Sequence, residues 1–131
     1  MMVRGVRGAI TVDRDESTMI VSATERLLKA IVAENYIDTT QIASVLFSAT
    51  PDLTTAFPAQ AARRMGWMFV PLLSYTEIDV AGGLARCVRV LVHLNTDLRQ
   101  DRIVHVFLDG ARMLRPDLVA RGQLHRKAQH A

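Results

Sequence analysis

The sequence predicts an α+β fold, a five-stranded sheet with two helices on one face. Three observations carry this reading. Five short apolar or β-branched runs are bounded by Gly, Pro, Asn or Asp, and two other segments place apolar residues at helical spacing. A length of 131 residues, half apolar and 22% charged, suits one compact domain with a single core. No repeat or composition break marks a second domain.

The first strand is Met2 to Val12. Asp13 to Thr18 then offers acidic and hydroxyl groups suited to a helix N-terminus, and Ile20, Leu27, Leu28, Ile31 and Val32 continue as a helical stripe to about Asn35. Ile42 to Ala49 reads as the second strand, stopped by Pro51. A short helix begins at Pro58, passes through Ala59 to Met65 and ends on Gly66 as its cap. Trp67 to Leu73 is expected as strand three, with Pro71 indicating an edge, and Ser74 to Gly83 as a loop closed by Gly82-Gly83. Cys87 to Leu94 and Ile103 to Leu108 complete the sheet, separated by an Asn95-Thr96-Asp97 turn.

Arg89 stands in the middle of the fourth strand. Alternation sends Val88, Val90, Val92 and Leu94 to one face and Cys87, Arg89, Leu91 and His93 to the other. An unpaired guanidinium desolvated there costs several kcal/mol and cannot escape by losing its proton, so it needs an anionic partner. Arg7 repeats the pattern in the first strand, sharing its face with Gly5, Ala9 and Thr11, whose small side chains leave room for a ligand. Either arginine alone could pair with a protein carboxylate or carbonyl; two together favour a bound anion.

Leu91, Ile103 and Phe107 lie beside Arg89 and His105 on the face opposite the helices, which is too apolar for water. A second subunit is expected to cover it, the alternative being a sheet that curls on itself. Cys87 is the only cysteine, which excludes an internal disulfide or a multi-cysteine metal site. His93 and His105 lack a carboxylate at ligand spacing and read as packed or hydrogen-bonded side chains, with no metal expected. The net charge of +3 resides in the tail, where Arg121, Arg126 and Lys127 have no acidic neighbour. The domain is therefore placed at residues 1–118 and a basic, disordered tail at 119–131, free to attract an anionic substrate. Fourteen of the sixteen basic residues are Arg, which suits carboxylate binding but would equally follow from codon bias. The high pI and two Arg-Gly pairs raise a nucleic-acid-binding alternative; those pairs lie in an apolar strand and aromatics are few, so none is expected. The longest apolar stretch, Trp67 to Leu73, is far below the roughly 18 residues of a membrane span, and no signal region follows Arg4 and Arg7, so the expected location is the cytoplasm.

The order of short motifs identifies a family. Arg4-Gly-Val-Arg-Gly-Ala-Ile-Thr-Val12, Ser48-Ala-Thr-Pro-Asp-Leu53, Ala56-Phe-Pro-Ala59, Gly66-Trp67, Val70-Pro71, Glu77-Ile-Asp-Val80, Gly82-Gly-Leu84, Cys87-Val-Arg-Val90, Asn95-Thr-Asp97, Gln100-Asp101, His105-Val106 and Leu114-Arg-Pro-Asp-Leu118 run in sequence over nearly the full length. The chain resembles the monofunctional, AroH-class chorismate mutases. That resemblance implies a mixed five-stranded sheet in a homotrimer that forms a pseudo-α/β barrel, with an active site in each cleft between subunits. It also implies the Claisen rearrangement of chorismate to prephenate, in phenylalanine and tyrosine biosynthesis, without cofactor or metal. A trimeric small-molecule deaminase of similar fold is the nearest rival, because fold alone does not fix function.

The implied chemistry is a [3,3]-sigmatropic rearrangement, which has no obligatory proton transfer and no nucleophile. The protein must hold a compact conformer by its two carboxylates and meet the charge that develops as the C–O bond breaks. By resemblance, Arg89 faces the ether oxygen, Arg7 clamps the side-chain carboxylate, and Glu77 contacts the ring hydroxyl and the electron-poor ring. From the sequence alone Glu77 would be an exposed loop acid. Arg63 corresponds to the cleft mouth and Phe57 and Leu72 to apolar walls. Leu73, Ser74, Tyr75 and Thr76 correspond to the segment along the substrate, and Leu114 and Arg115 to its C-terminal closure. Three positions depart from the family pattern: Phe107 replaces a tyrosine near the substrate carboxylate, Gln60 a basic residue, and Ser74 a position that can be cysteine.

Overall fold

In the computed structural model, residues 1–122 are described. β1 (Met2–Thr11), α1 (Ser17–Asn35), β2 (Ile42–Ala49), α2 (Ala59–Arg64), β3 (Leu72–Thr76), β4 (Cys87–Thr96) and β5 (Val106–Leu108) follow in chain order. A last helix, α3, covers 116–122. The five strands form one mixed sheet in the order β3-β2-β4-β1-β5. β4 is antiparallel to both β1 and β2, while β3 and β5 are added parallel at the two edges.

Alternation along the long strands builds the core. Val6 and Ile10 of β1, Val45 and Phe47 of β2, and Val88, Val90, Val92 and Leu94 of β4 are buried beneath Ile20, Leu27, Leu28 and Ile31 of α1 and Ala61 and Ala62 of α2. Gly8 lets α1 cross β1 closely, since a Cβ there would stand 2.7 Å from Ile31 Cδ1. Gly66 ends α2 with φ +83° and the Trp67 N–H bonds back to the Ala62 carbonyl at 3.1 Å, so the expected glycine cap forms.

Several expectations are corrected. Trp67 to Leu73 is not strand three: the turn after Gly66 consumes its start, with the Met68 N–H donating to the Gly66 carbonyl at 2.8 Å. Strand pairing begins near Pro71, whose carbonyl accepts from Val45 at 2.9 Å, and extends through Ser74 to Thr76, residues expected in a loop. The fifth strand is shorter than predicted because the Asn35 side chain takes both peptide groups of Val104, accepting at 2.7 Å and donating at 2.9 Å. Ile103 accordingly joins the helix-side core. Acidic capping of α1 is also absent, since Glu16 makes no side-chain cap bond and Asp15 instead accepts from the backbone and hydroxyls of Thr54 and Thr55.

The face opposite α1 and α2 is divided. At its β1–β5 end, Ala9, Cys87, Phe107 and Ala111 form a second apolar cluster with Leu84, Leu114, Leu118 and Val119 packed on it. The space beside Ala9 and Thr11, expected to be open for a ligand, is thus filled by the chain itself, and the Gly110 N–H donates to Thr11 Oγ1 at 2.9 Å. Residues 119–122, assigned to the tail, continue α3. Residues 123–131 of that expected tail lie outside the described residues. At the β2–β3 end, Leu73 and Tyr75 remain about half exposed. Among the described residues no helix is long and apolar enough to cross a membrane.

Candidate active site

Arg89 lies opposite Ala9 on β1 and Ser48 on β2, and Arg7 lies opposite Leu91, so the two arginines are diagonal neighbours on one sheet face. Glu77 follows β3 directly. Its N–H donates to the Ala49 carbonyl at 2.8 Å, which extends the parallel pairing by one residue and turns the side chain toward β4. Its Oε2 accepts from Ser48 Oγ at 2.8 Å and stands 3.0 Å from Arg89 Nε. That Nε is buried yet not aligned for a hydrogen bond, so the pair is an ionic contact with an unsatisfied donor. Arg89 therefore does have a protein carboxylate.

Arg7 differs. Its guanidinium carbon lies 6.0 Å from the centroid of the Phe107 ring, a long cation–π contact, and among the described residues no carboxylate forms an ion pair with it. Burial, and then the positive charges of Arg89 and Arg115, lower its pKa, with Glu77 acting the other way. Arg115 pairs with Asp117 at 2.9 Å, and its charge reaches both Arg7 and His105. Three guanidiniums thus influence one partly buried face, and among the described residues Glu77 pairs with Arg89 and Asp117 with Arg115, which leaves Arg7 as the cation without a carboxylate. An unmatched, partly desolvated guanidinium is suited to an anion. The Cys87 thiol beneath it is pushed up by burial and stays protonated.

The remaining predicted residues form a second set. Phe57, Gln60, Ser74, Tyr75 and Thr76 line a cavity of about 590 Å³ between β3, α2 and the loop after β2. Asp15 holds that loop through Thr54 and Thr55. Leu72 and Ser74 stand opposite Val45 and Phe47 and so face the helix side, whereas Leu73 and Tyr75 stand opposite Leu46 and Ser48 and face the arginines. Leu72 packs against the main core, and Arg63 is exposed on α2. Leu114 and Phe107 belong to the cluster beneath Arg7. Within one chain, then, Arg7, Glu77, Arg89, Phe107, Leu114 and Arg115 come together, while Phe57, Leu72, Ser74 and Arg63 lie across the edge strand from them.

Three contributors carried no usable sequence signal. Ser48 orients Glu77, but only the β2–β4 register reveals it. Asp52 accepts the Arg86 N–H at 3.0 Å and so pins the left-handed residue that leads into β4. His105 accepts the Arg7 N–H at 2.9 Å, and His93 bonds to Ser44 Oγ at 2.8 Å, so both histidines are hydrogen-bonded side chains as expected.

The family model for type I chorismate mutases matches residues 3–118. The chain is 47% identical over 119 residues to chorismate mutase AroH of Bacillus subtilis, covering 90% of this chain and 94% of that one. It is 52% identical over 118 residues to chorismate mutase AroH of Thermus thermophilus, covering 89% and 97%. A solved chorismate mutase from Clostridium thermocellum matches the fold with a TM-score of 0.82 and 44% identity, over 83% of this chain and 97% of that one. Neither the deaminase nor the nucleic-acid alternative finds support in these matches. With one family's pattern running from the first strand to α3 and a solved relative sharing the sheet, the chain belongs to the type I chorismate mutases.

Proposed function

We propose that this chorismate mutase rearranges chorismate to prephenate, in the cytoplasm, at clefts completed by neighbouring copies in a homotrimer. The single observation that carries the mechanism is the unpaired Arg7 beside Arg89, whose Nε is buried and misaligned with Glu77. Arg7 binds the side-chain carboxylate of the substrate and holds the enolpyruvyl group over the ring, removing much of the entropy of reaching the chair-like geometry. Arg89 keeps donors free beyond its contact with Glu77 and aims them at the ether oxygen, where negative charge grows as C–O cleavage leads C–C formation. A fixed donor directed at developing charge favours the transition state over the ground state by ~10²- to 10³-fold in rate. Glu77, steadied by Ser48, orients the ring hydroxyl and faces the ring fragment as it becomes positive. Leu114 and Arg115 close the C-terminal side, and Phe107 supports Arg7 from below.

Sharing between chains follows from the division of the predicted residues. Phe57, Arg63, Leu72 and Ser74 cannot meet Arg89 of their own chain across the sheet, but an edge strand can meet the open face of another molecule. The half-exposed Leu73 and Tyr75 then become interface, and three such contacts close a ring, the pseudo-α/β barrel.

A mixing experiment tests activity and sharing together. Arg89→Ala and Arg63→Ala proteins are each assayed by loss of chorismate absorbance with chemical detection of prephenate, then unfolded, mixed and refolded. Random reassembly should return wild-type composition to about a quarter of the clefts, and activity should rise accordingly. Full activity of an isolated monomer, or no recovery from mixed trimers, would rule out shared sites.

A further inference from the structure

His105 stands immediately before β5, half-buried, and its Nδ1 accepts the backbone N–H of Arg7 at 2.9 Å. The β1–β5 ladder pairs Gly8 with Val106 and continues only forward from there. Arg7 is therefore one residue beyond regular pairing, and an imidazole nitrogen supplies an acceptor there. This bond requires a lone pair on Nδ1, so the ring must be neutral at that atom, with its proton on Nε2.

We propose that neutral His105 is a positioning residue for Arg7: by holding the Arg7 N–H, it fixes the β1 backbone from which the guanidinium reaches the substrate carboxylate. The proposal rests on the reading of Arg7 as the carboxylate clamp. The surroundings agree with a neutral ring. Burial, and then the charges of Arg7 from β1 and Arg115 from the segment before α3, lower the pKa of His105 from its ordinary 6.5. Glu34 of α1 and Arg112 line a cavity together with His105, Val119 and Gly122, but the shift of the imidazole comes from burial, Arg7 and Arg115.

Protonation would set an N–H against an N–H and add a cation between Arg7 and Arg115. The bond is thus intact at neutral pH and lost as pH falls through the lowered pKa. The linked stability has the same sign: below about 6.5 the unfolded chain binds a proton that the native chain resists, so acid destabilises the native state.

Two substitutions separate acceptor from ring. His105→Asn can present Oδ1 near the position of Nδ1 and accepts at every pH; His105→Leu removes the acceptor. At about pH 7.5, His105→Leu should raise KM for chorismate about 3- to 10-fold with kcat within about twofold, whereas His105→Asn should stay near wild type. As pH falls from the ordinary 6.5 through the lowered pKa of His105, the wild-type KM should climb above that of the asparagine variant. In the intact protein labelled with ¹⁵N-histidine, the resonances lost in His105→Asn should show an unprotonated Nδ1 and a protonated Nε2 at neutral pH. Circular dichroism and thermal melting check each fold; if the leucine variant fails to fold, the asparagine pH profile and the nitrogen shifts decide alone. A protonated Nδ1, or identical KM–pH profiles for wild type and His105→Asn, overturns the proposal. Arg7→Ala is measured in parallel. A raised KM there with none in well-folded His105→Leu defeats the His105 role alone, while an unchanged KM in Arg7→Ala defeats the clamp reading and the proposal with it.

Discussion

Alternate residues of the same strands make the two faces of this sheet, yet one face is closed by the chain and the other is left half-built. On the helix side, Phe47, Val90 and Val92 are sealed under α1 and α2. On the other side Ser48, Arg89 and Leu91, their immediate neighbours in sequence, surround a cationic hollow, and Leu73 and Tyr75 stay half exposed. The difference teaches where each requirement is met. The closed face satisfies itself by packing, whereas the open face carries charge and apolar area that a substrate and a second copy of the chain can satisfy.

The sharpest way to test this division is to damage one face and ask whether the other property survives. Phe47→Ala empties a fully buried site and should cost ~3–5 kcal/mol in denaturant unfolding, with kcat per folded molecule nearly kept. Leu73→Ala on the open side should leave that unfolding cooperative and instead make the unfolding midpoint more dependent on protein concentration, as a weakened assembly would. Equal stability losses in both variants at every concentration would erase the distinction between the faces.

Replacing Arg89 with citrulline attacks the open face alone. Much of the shape remains and the charge goes, so kcat should fall by at least ~10²- to 10³-fold while KM changes far less. Arg89→Lys should recover only part, since a point ammonium cannot serve Glu77 and the ether oxygen together. Glu77 keeps its hydrogen bond from Ser48 but loses its counter-ion, so unfolding and assembly are measured beside turnover in each variant. Near-wild-type turnover of the folded citrulline protein would remove positive charge at position 89 from the mechanism.

The sequence made the closed face easier to read than the open one, for physical reasons. β1, β2, β4 and α1 are long enough for a period of 2 or 3.6 to repeat several times, and α2 ends at its glycine as expected. Trp67 to Leu73 is as apolar as a strand, but the left-handed turn at Gly66 and the burial of Trp67 used up its first half. That shift of a few residues decides which of Leu72 and Leu73 faces the core, so the two halves of the site could not be separated in advance. Arg89 announced its need for an anion by its position in a strand. Its partner Glu77 could be reached only through the resemblance, because the parallel pairing of β2 and β3 that brings it there has no local signature. The role of Ser48, and the partner of His105, which the sequence marked only as a packed or hydrogen-bonded side chain, were hidden for the same reason: they arise from register and from the end of a ladder.

A pair of glycines gives a smaller test of the same contrast. At Gly8 an added methyl group would meet Ile31 at 2.7 Å and Leu27 at 3.1 Å, so Gly8→Ala should cost ~1–3 kcal/mol of stability. At Gly5, on the arginine side, the nearest atom is Leu91 Cδ1 at 3.4 Å, an ordinary contact, and Gly5→Ala should stay within about 0.5 kcal/mol. Thermal melts of the two variants compare them directly; a Gly5→Ala loss as large as that at Gly8 would mean the open face is as tightly packed as the core.

The smallest expected effect concerns Phe107, where closed and open regions meet. Its ring is buried against Ala9, Cys87 and Ala111, yet it also lies beneath the Arg7 guanidinium. Phe107→Tyr keeps the ring and adds one hydroxyl directed toward the carboxylate that Arg7 is proposed to hold. A hydrogen bond to a charged group contributes ~1.5–3 kcal/mol at most, and less when water already serves the anion or when the hydroxyl is partly desolvated by the surrounding apolar cluster. KM should therefore fall by about 2- to 10-fold, with kcat nearly unchanged, because the added donor acts on a carboxylate whose charge is the same in ground and transition states. Isothermal titration with a bicyclic transition-state analogue should show the same gain in affinity as the Michaelis constant. A stability loss without any gain in affinity would place position 107 wholly on the closed side, and the substrate carboxylate beyond reach of its ring.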